Sequence, residues 1–180
     1  MIIQDAQTGK TGKVDHENRL HVFSVTQTLD RHANSEGLYS SIYFTVTPTG
    51  ANDYCLYLKN DGVSDVLITD LRISSTVPTN IFVDHVTGTP SYVTGTDATI
   101  TNNNLGSNKS PSITAKFDTN ITGITNVGEL MFQECPVANT MYHLRKSSTI
   151  LIPQGQAIAI RRVESTGLIT ALVSLSIAGA

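Results

Sequence analysis

The feature that most constrains this chain is a hydrophobic period of two, repeated along most of its length, with no segment carrying a helical stripe. Successive side chains on a strand point to opposite faces, so this period specifies half-buried strands. In SSIYFTVTPTG, Ile42, Phe44 and Val46 alternate with Tyr43, Thr45 and Thr47. In NDYCLYLKN, the alternation puts Tyr54, Leu56 and Leu58 on one face and Tyr57 on the other. SDVLITDLRIS places Leu67, Leu71 and Ile73 with Thr69 on one side. In the last run, Ile169, Ala171, Val173, Leu175 and Ile177 are apolar while Thr170, Ser174 and Ser176 are polar, with Leu172 the exception. One covered and one polar face is the pattern of an antiparallel sheet; a fully buried parallel strand reads apolar throughout. Composition agrees: charged residues make up 15%, against about 25% in an ordinary globular chain. The difference is made up by Thr, Ser and Asn, which disfavours helix and, through Thr, favours strand.

Turn signals divide the chain. Asn60-Asp61-Gly62 between two apolar runs predicts a hairpin, because tight turns need positive φ. TGTPSYVTGTD and NNNLGSNKSP are dense in turn-formers and predict long loops around short strands at IFVDHV, ATIT and SITAKF. STILIPQGQAIAIRRVESTGLITALVSLSI predicts three strands in a meander, broken at Pro153-Gln154-Gly155 and at Glu164–Gly167. About ten short strands in one chain of 180 residues predict an all-β protein, an antiparallel, jelly-roll-like β-sandwich. Residues 1–37 read as an N-terminal arm and first strand, with Leu20 and Val22 on one face, and 38–180 as the sandwich domain. The long last strand carries no charge near its end, so another strand or a neighbouring subunit must cover its edges.

The composition argues against several functions. With 12 Lys+Arg against 15 Asp+Glu, there is no basic excess to neutralise phosphates, which disfavours nucleic-acid binding. No run approaches the roughly 20 apolar residues of a membrane helix. MIIQDAQTGKTGK has no apolar run after Met-Ile-Ile, so the expectation is a chain folded in a reducing cytoplasm. Cys55 and Cys135 are too few for a disulfide framework and are expected as buried free thiols. Phosphate-loop, nucleophile-elbow and zinc-protease motifs are not found, so the chain is read as no enzyme, with no catalytic residue, metal or cofactor. His16, His21, His32, His85 and His143 have no metal-ligand spacing, and Asp84 and His85, as strand neighbours, point opposite ways. Asn60, Asp61, Gly62 and Asp65 lack the full spacing of a calcium loop. Asn120-Ile121-Thr122 matches a glycosylation acceptor without a secretory context. The chain has no Trp. Tyr92 is the one tyrosine placed like a loop recognition residue; the alternative is a tyrosine packed on its own scaffold.

IIQD…TGKTGKVDHENRLHVFSVT resembles the N-terminus of small virion structural proteins of tailed bacteriophages, and YLKNDGVSDVLITDLRI and NNNLGSNKSPSITAKF resemble their mid-chain segments. The sequence reads Gln4-Asp5-Ala6 where that family often has Asp-Gly. The resemblance implies a capsid decoration, or cement, protein with a jelly-roll-like fold. Its partners would be the major capsid protein and itself, as a homotrimer on the capsid surface, assembled in the host cytoplasm. An arm can lie across a neighbour and order on contact. Ile2 and Ile3 would anchor it, and Val14, Arg19 and Leu20 would join it to the sheet; otherwise it is a frayed terminus or a strand of its own sheet. The alternative role is a receptor- or glycan-binding module of a tail fibre or spike.

Overall fold

Strands that follow one another in sequence mostly change sheet at each step. The computed structural model describes residues 2–4, 11–14, 20–21, 37–107, 109–143, 150–164 and 166–177. Among them are β1 (Ile2–Gln4), β2 (Thr11–Val14), β3 (Leu20–His21), β4 (Tyr39–Val46), β5 (Tyr54–Asn60), β6 (Val66–Ser75) and β7 (Thr79–Ser91). The remainder are β8 (Thr96–Asp97), β9 (Ile100–Asn102), β10 (Ile113–Cys135), β11 (Tyr142–His143), β12 (Ile150–Ile152), β13 (Ala157–Arg162) and β14 (Ile169–Ile177). One sheet has the order β11-β6-β14-β4-β9, with β12 also on β6; the other has β5-β13-β7-β10-β8. Every pairing is antiparallel. The protein is therefore an all-β antiparallel sandwich, as the alternation predicts.

The main core lies between the sheets. Ile42, Phe44 and Val46 of β4 meet Val173 and Ala171 of β14, Leu71 and Ile73 of β6, and Leu56, Leu58, Ile81, Val83, Ile158 and Ile160 of the facing sheet. Each fully buried aliphatic side chain contributes roughly 1.5–3 kcal/mol relative to exposure. The last strand, β14, lies between β4 and β6, so both of its edges are paired inside the chain.

Five expectations change. Asn60-Asp61-Gly62 is a turn but not a hairpin: β5 and β6 lie in different sheets, and Asn60 bonds across to Ile152 O at 2.9 Å. The C-terminal strands form no meander, since β12 pairs β6, β13 pairs β5 and β7, and β14 pairs β4 and β6. TGTPSYVTGTD is mostly strand, because β7 runs to Ser91 and β8 resumes at Thr96. Tyr54 leaves the face of Leu56 and joins Tyr57, because the β5–β13 register shifts at Ile160/Arg161. Leu67 leaves the face of Leu71, because β6 shifts against β14 at Ser174/Leu175; Val66 and Ile68 take the core positions. A bulge adds one residue to one strand and inverts the alternation beyond it.

The second sheet returns to its start. β7 and then β8 follow one edge of β10, while Ile113–Ile121 of β10 pair β5 along the other. Pairing therefore runs β5–β13–β7–β10–β5. A second cluster of Tyr57, Val86, Ile121, Ala157 and Ala159 packs on the sheet face away from the main core. This explains why β5 and β13 are buried on both faces: the small Ala157 and Ala159 face the second cluster, and Ile158 and Ile160 face the first. The bend needs two glycines. Gly88 (φ +101°) stands opposite Ile124, next to Gly123 (φ +73°) of β10, and a Cβ at Gly123 would lie 2.5 Å from Thr89 O. Only glycine takes such φ without strain at that approach.

The N-terminal strands form a separate three-stranded meander, β1-β2-β3, with Ile2 opposite Lys13 and Val14 opposite Leu20.

Candidate functional site

The β7, β13, β5 and β10 registers bring six polar and aromatic residues together on the outer face of the second sheet. Arg161 sits opposite both Tyr54 and Phe82, Phe132 opposite Phe82, and Glu129 opposite Asp84. Asp84 has no exposed surface. Its Oδ2 accepts from Arg161 Nε at 2.8 Å and from the Tyr54 hydroxyl at 3.0 Å, and Oδ1 takes no partner among the described residues. A buried carboxylate is tolerated only when charge and hydrogen bonds compensate its lost hydration, and Arg161 and Tyr54 do so here.

Asp84 thereby fixes the Arg161 guanidinium. Nη1 donates to Asn52 Oδ1 at 3.1 Å and Nη2 to Glu129 at 3.2 Å, while the plane lies 4.5 Å from the Phe82 ring centroid. Burial opposes the charge on Arg161, but Asp84, Tyr54 and Glu129 outweigh it and hold the guanidinium above its usual pKa. Burial first, then the bond to Asp84, pushes the Tyr54 phenol up to about 12. Phe132 packs on Phe82 in a tilted arrangement, 4.9 Å between centroids and 44° between planes, yet 53% of Phe132 is exposed. A fixed arginine beside an exposed aromatic ring is the residue pairing that carries protein–protein contacts, because both bury much area for little lost freedom. Asp84 Oδ2 and the Arg161 guanidinium are bonded within the cluster, while Asp84 Oδ1 is left without a partner among the described residues.

Beside it, among the described residues, the strand pairings of Thr122–Cys135 of β10 are all with β7. Register shifts at Asn126/Gly128 and Glu129/Met131, together with Glu129 and Glu134, break the flat ladder that another strand would need. What this side exposes is side chains, with Phe132 foremost.

Of the arm residues, Ile2, Ile3, Val14 and Leu20 lie in the β1-β2-β3 meander, and Arg19 lies outside the described residues. Tyr92 stands in the short β7–β8 connection, but its ring packs on the second cluster, its hydroxyl is buried and Lys116 lies 5.6 Å from its centroid. It is placed as a scaffold tyrosine. Burial pushes its phenol up to about 12. Asp84 and His85 do point apart: His85 bonds Gln156 at 2.9 Å. Both cysteines are free and buried. Among the described residues, no three or more His, Cys, Asp or Glu side chains converge as a metal site. Sequence reasoning missed Arg161, Glu129 and Phe132; the one available signal was Asp84 on an otherwise apolar strand face with Phe82 and Val86.

The chain matches no known protein family and no curated protein.

Proposed function

We propose that this chain is a structural protein of a phage virion, a capsid decoration protein that stabilises the head through contacts with the major capsid protein and with copies of itself, as a trimer. One observation carries the reading furthest: β4, β6, β14 and β11/β12 in one sheet interleave with β5, β7, β13 and β10 in the other. That interleaving supports a jelly-roll assignment, the fold implied by the resemblance of the N-terminal and mid-chain segments to phage virion proteins.

The physics is burial and repetition. A specific interface needs on the order of 1,000 Å². Both edges of β14 are covered within the chain, and the sandwich presents exposed side chains such as Phe132. A modest contact repeated over symmetry-related copies then gains through avidity. The N-terminal segment, with Ile2, Ile3, Val14, Arg19 and Leu20, supplies a further contact to a neighbour. Light scattering behind size exclusion tests the trimer; a strict monomer at micromolar concentration counts against it. Adding the chain to particles that lack it tests the capsid contact: saturable binding and raised resistance of the head to heat or chelation are expected.

A further inference from the structure

At the side of the sandwich where β4 approaches β8, an open groove of about 350 Å³ separates the two sheets. Thr45, Val46 and Thr47 form one wall, Thr94 and Thr96 the other, and Phe117, Asp118, Thr119 and Leu168 complete the lining. β9 pairs β4 as far as Ile42, with no further partner on that edge of β4 among the described residues, and a bond from Thr49 N to Thr119 O (3.1 Å) ties the two sheets beside the groove.

Its chemistry is selective. Asp118 is the one charged side chain in the lining, and it is already satisfied: it accepts from Thr94 N at 2.9 Å, Gly95 N at 3.0 Å and Thr119 N at 2.6 Å, and from the hydroxyls of Thr94 and Thr119. It has no acceptor to spare for a cation, and no lysine or arginine lines the groove to hold an anion. Thr47 and Thr96 are exposed residues of this lining, and their hydroxyls take no hydrogen bond among the described residues. Phe117 is held in place by stacking on Phe44 at 6.0 Å, and 39% of Leu168 is exposed beside it. Apolar lining next to neutral hydroxyls matches a ligand with a C–H face and a rim of hydroxyl groups, and the volume falls within the usual range for small-ligand clefts of about 300–1,000 Å³.

We propose that this groove binds a neutral oligosaccharide, with one sugar ring against Phe117 and Leu168 and its hydroxyls on Thr47 and Thr96. The site stands independently of the virion assignment, since copy number in a particle does not bear on sugar binding. The experiment is an amide-resolved NMR titration of the intact chain with maltotriose, cellotriose and chitotriose, and with sulfate and a trigalacturonate as charged comparisons. Saturable shifts at 45–47, 94–96 and 117–119 with at least one neutral sugar are expected, together with weakening of about tenfold or more in Thr96→Arg. Thr96 is exposed, so that variant keeps its fold, and its unperturbed spectrum checks this. Absence of shifts there with all three neutral sugars, equal binding by Thr96→Arg, or a preference for the charged probes would overturn the proposal.

Discussion

Asp84 and Arg161 form an ion pair at 2.8 Å in which the carboxylate is wholly buried and the arginine side chain is 15% exposed. The pair joins β7 to β13 and carries Tyr54 with it. Removing one partner strands the other charge, which is the costly way to break a buried pair. Asp84→Ala is expected to lose about 3 kcal/mol in urea unfolding. Arg161→Ala should be comparable, and the double variant should cost less than the sum. Additive losses would show that the two side chains are not coupled.

Two half-buried tyrosines set the alkaline limit. Tyr54 and Tyr92 are both pushed up to about 12, burial being the main cause. Ionisation is then easier unfolded than folded, so stability falls as pH rises past the ordinary tyrosine value of about 10. Absorbance titration should show these two phenols still protonated near pH 11. Their release should coincide with loss of structure by circular dichroism.

Asp118 and Glu164, together with the more exposed Asp61, are held below the usual carboxylate range and set the acid limit. Burial tends to raise Asp118, but the amides of Thr94, Gly95 and Thr119 prevail and hold it below the usual range. Glu164 behaves alike: burial raises it, but Thr79 and the Asn80 amide, at 2.6 Å and 2.5 Å, outweigh burial and hold it below the usual range. A depressed folded pKa stabilises above the unfolded value and is lost as pH falls through the folded one. Stability should therefore decline below about pH 4. Asp118→Asn should flatten that decline while lowering neutral-pH stability by roughly 1–3 kcal/mol.

Gly88 of β7 and Gly123 of β10, each packed against the other strand's backbone, leave no room for a side chain. In Gly88→Ala the new Cβ would lie 2.6 Å from Gly123 O, at φ +101°. Each of Gly88→Ala and Gly123→Ala should cost more than about 1 kcal/mol by thermal or urea unfolding. A neutral result at both would mean that the bend in β10 does not depend on this close approach.

Burial pushes the Cys55 thiol up to about 12 and the Cys135 thiol up to about 11. The thiolate is the reactive form, so a thiol reagent at neutral pH should label neither in the folded protein and both in urea. Rapid labelling of Cys135 without denaturant would show that the end of β10 opens.

How much of this was legible in the sequence is a matter of bulges. The face of Ile42, Phe44 and Val46 and that of Ile169 to Leu175 read correctly, because β4 and β14 pair without interruption there. Tyr54 and Leu67 were placed on the wrong faces, since each lies beyond a register shift that leaves no mark in the residue types. β10 escaped notice as one strand of 23 residues because Asn120, Gly123, Asn126 and Gly128 look like turn-formers; Gly123 holds the bend against Gly88, and register shifts fall beside the others. The Asp84–Arg161–Glu129–Phe132 cluster was hidden for a different reason. Its members come from three strands far apart in sequence, and only the closing of the sheet on itself brings them together.

The central claim is that this chain belongs to a particle. Quantitative mass spectrometry of purified phage particles tests it most directly. The account predicts the intact chain in mature particles at a copy number that scales with the major capsid protein. Its absence from mature particles would contradict the claim, and a handful of copies per particle would move the chain from the head shell to the tail.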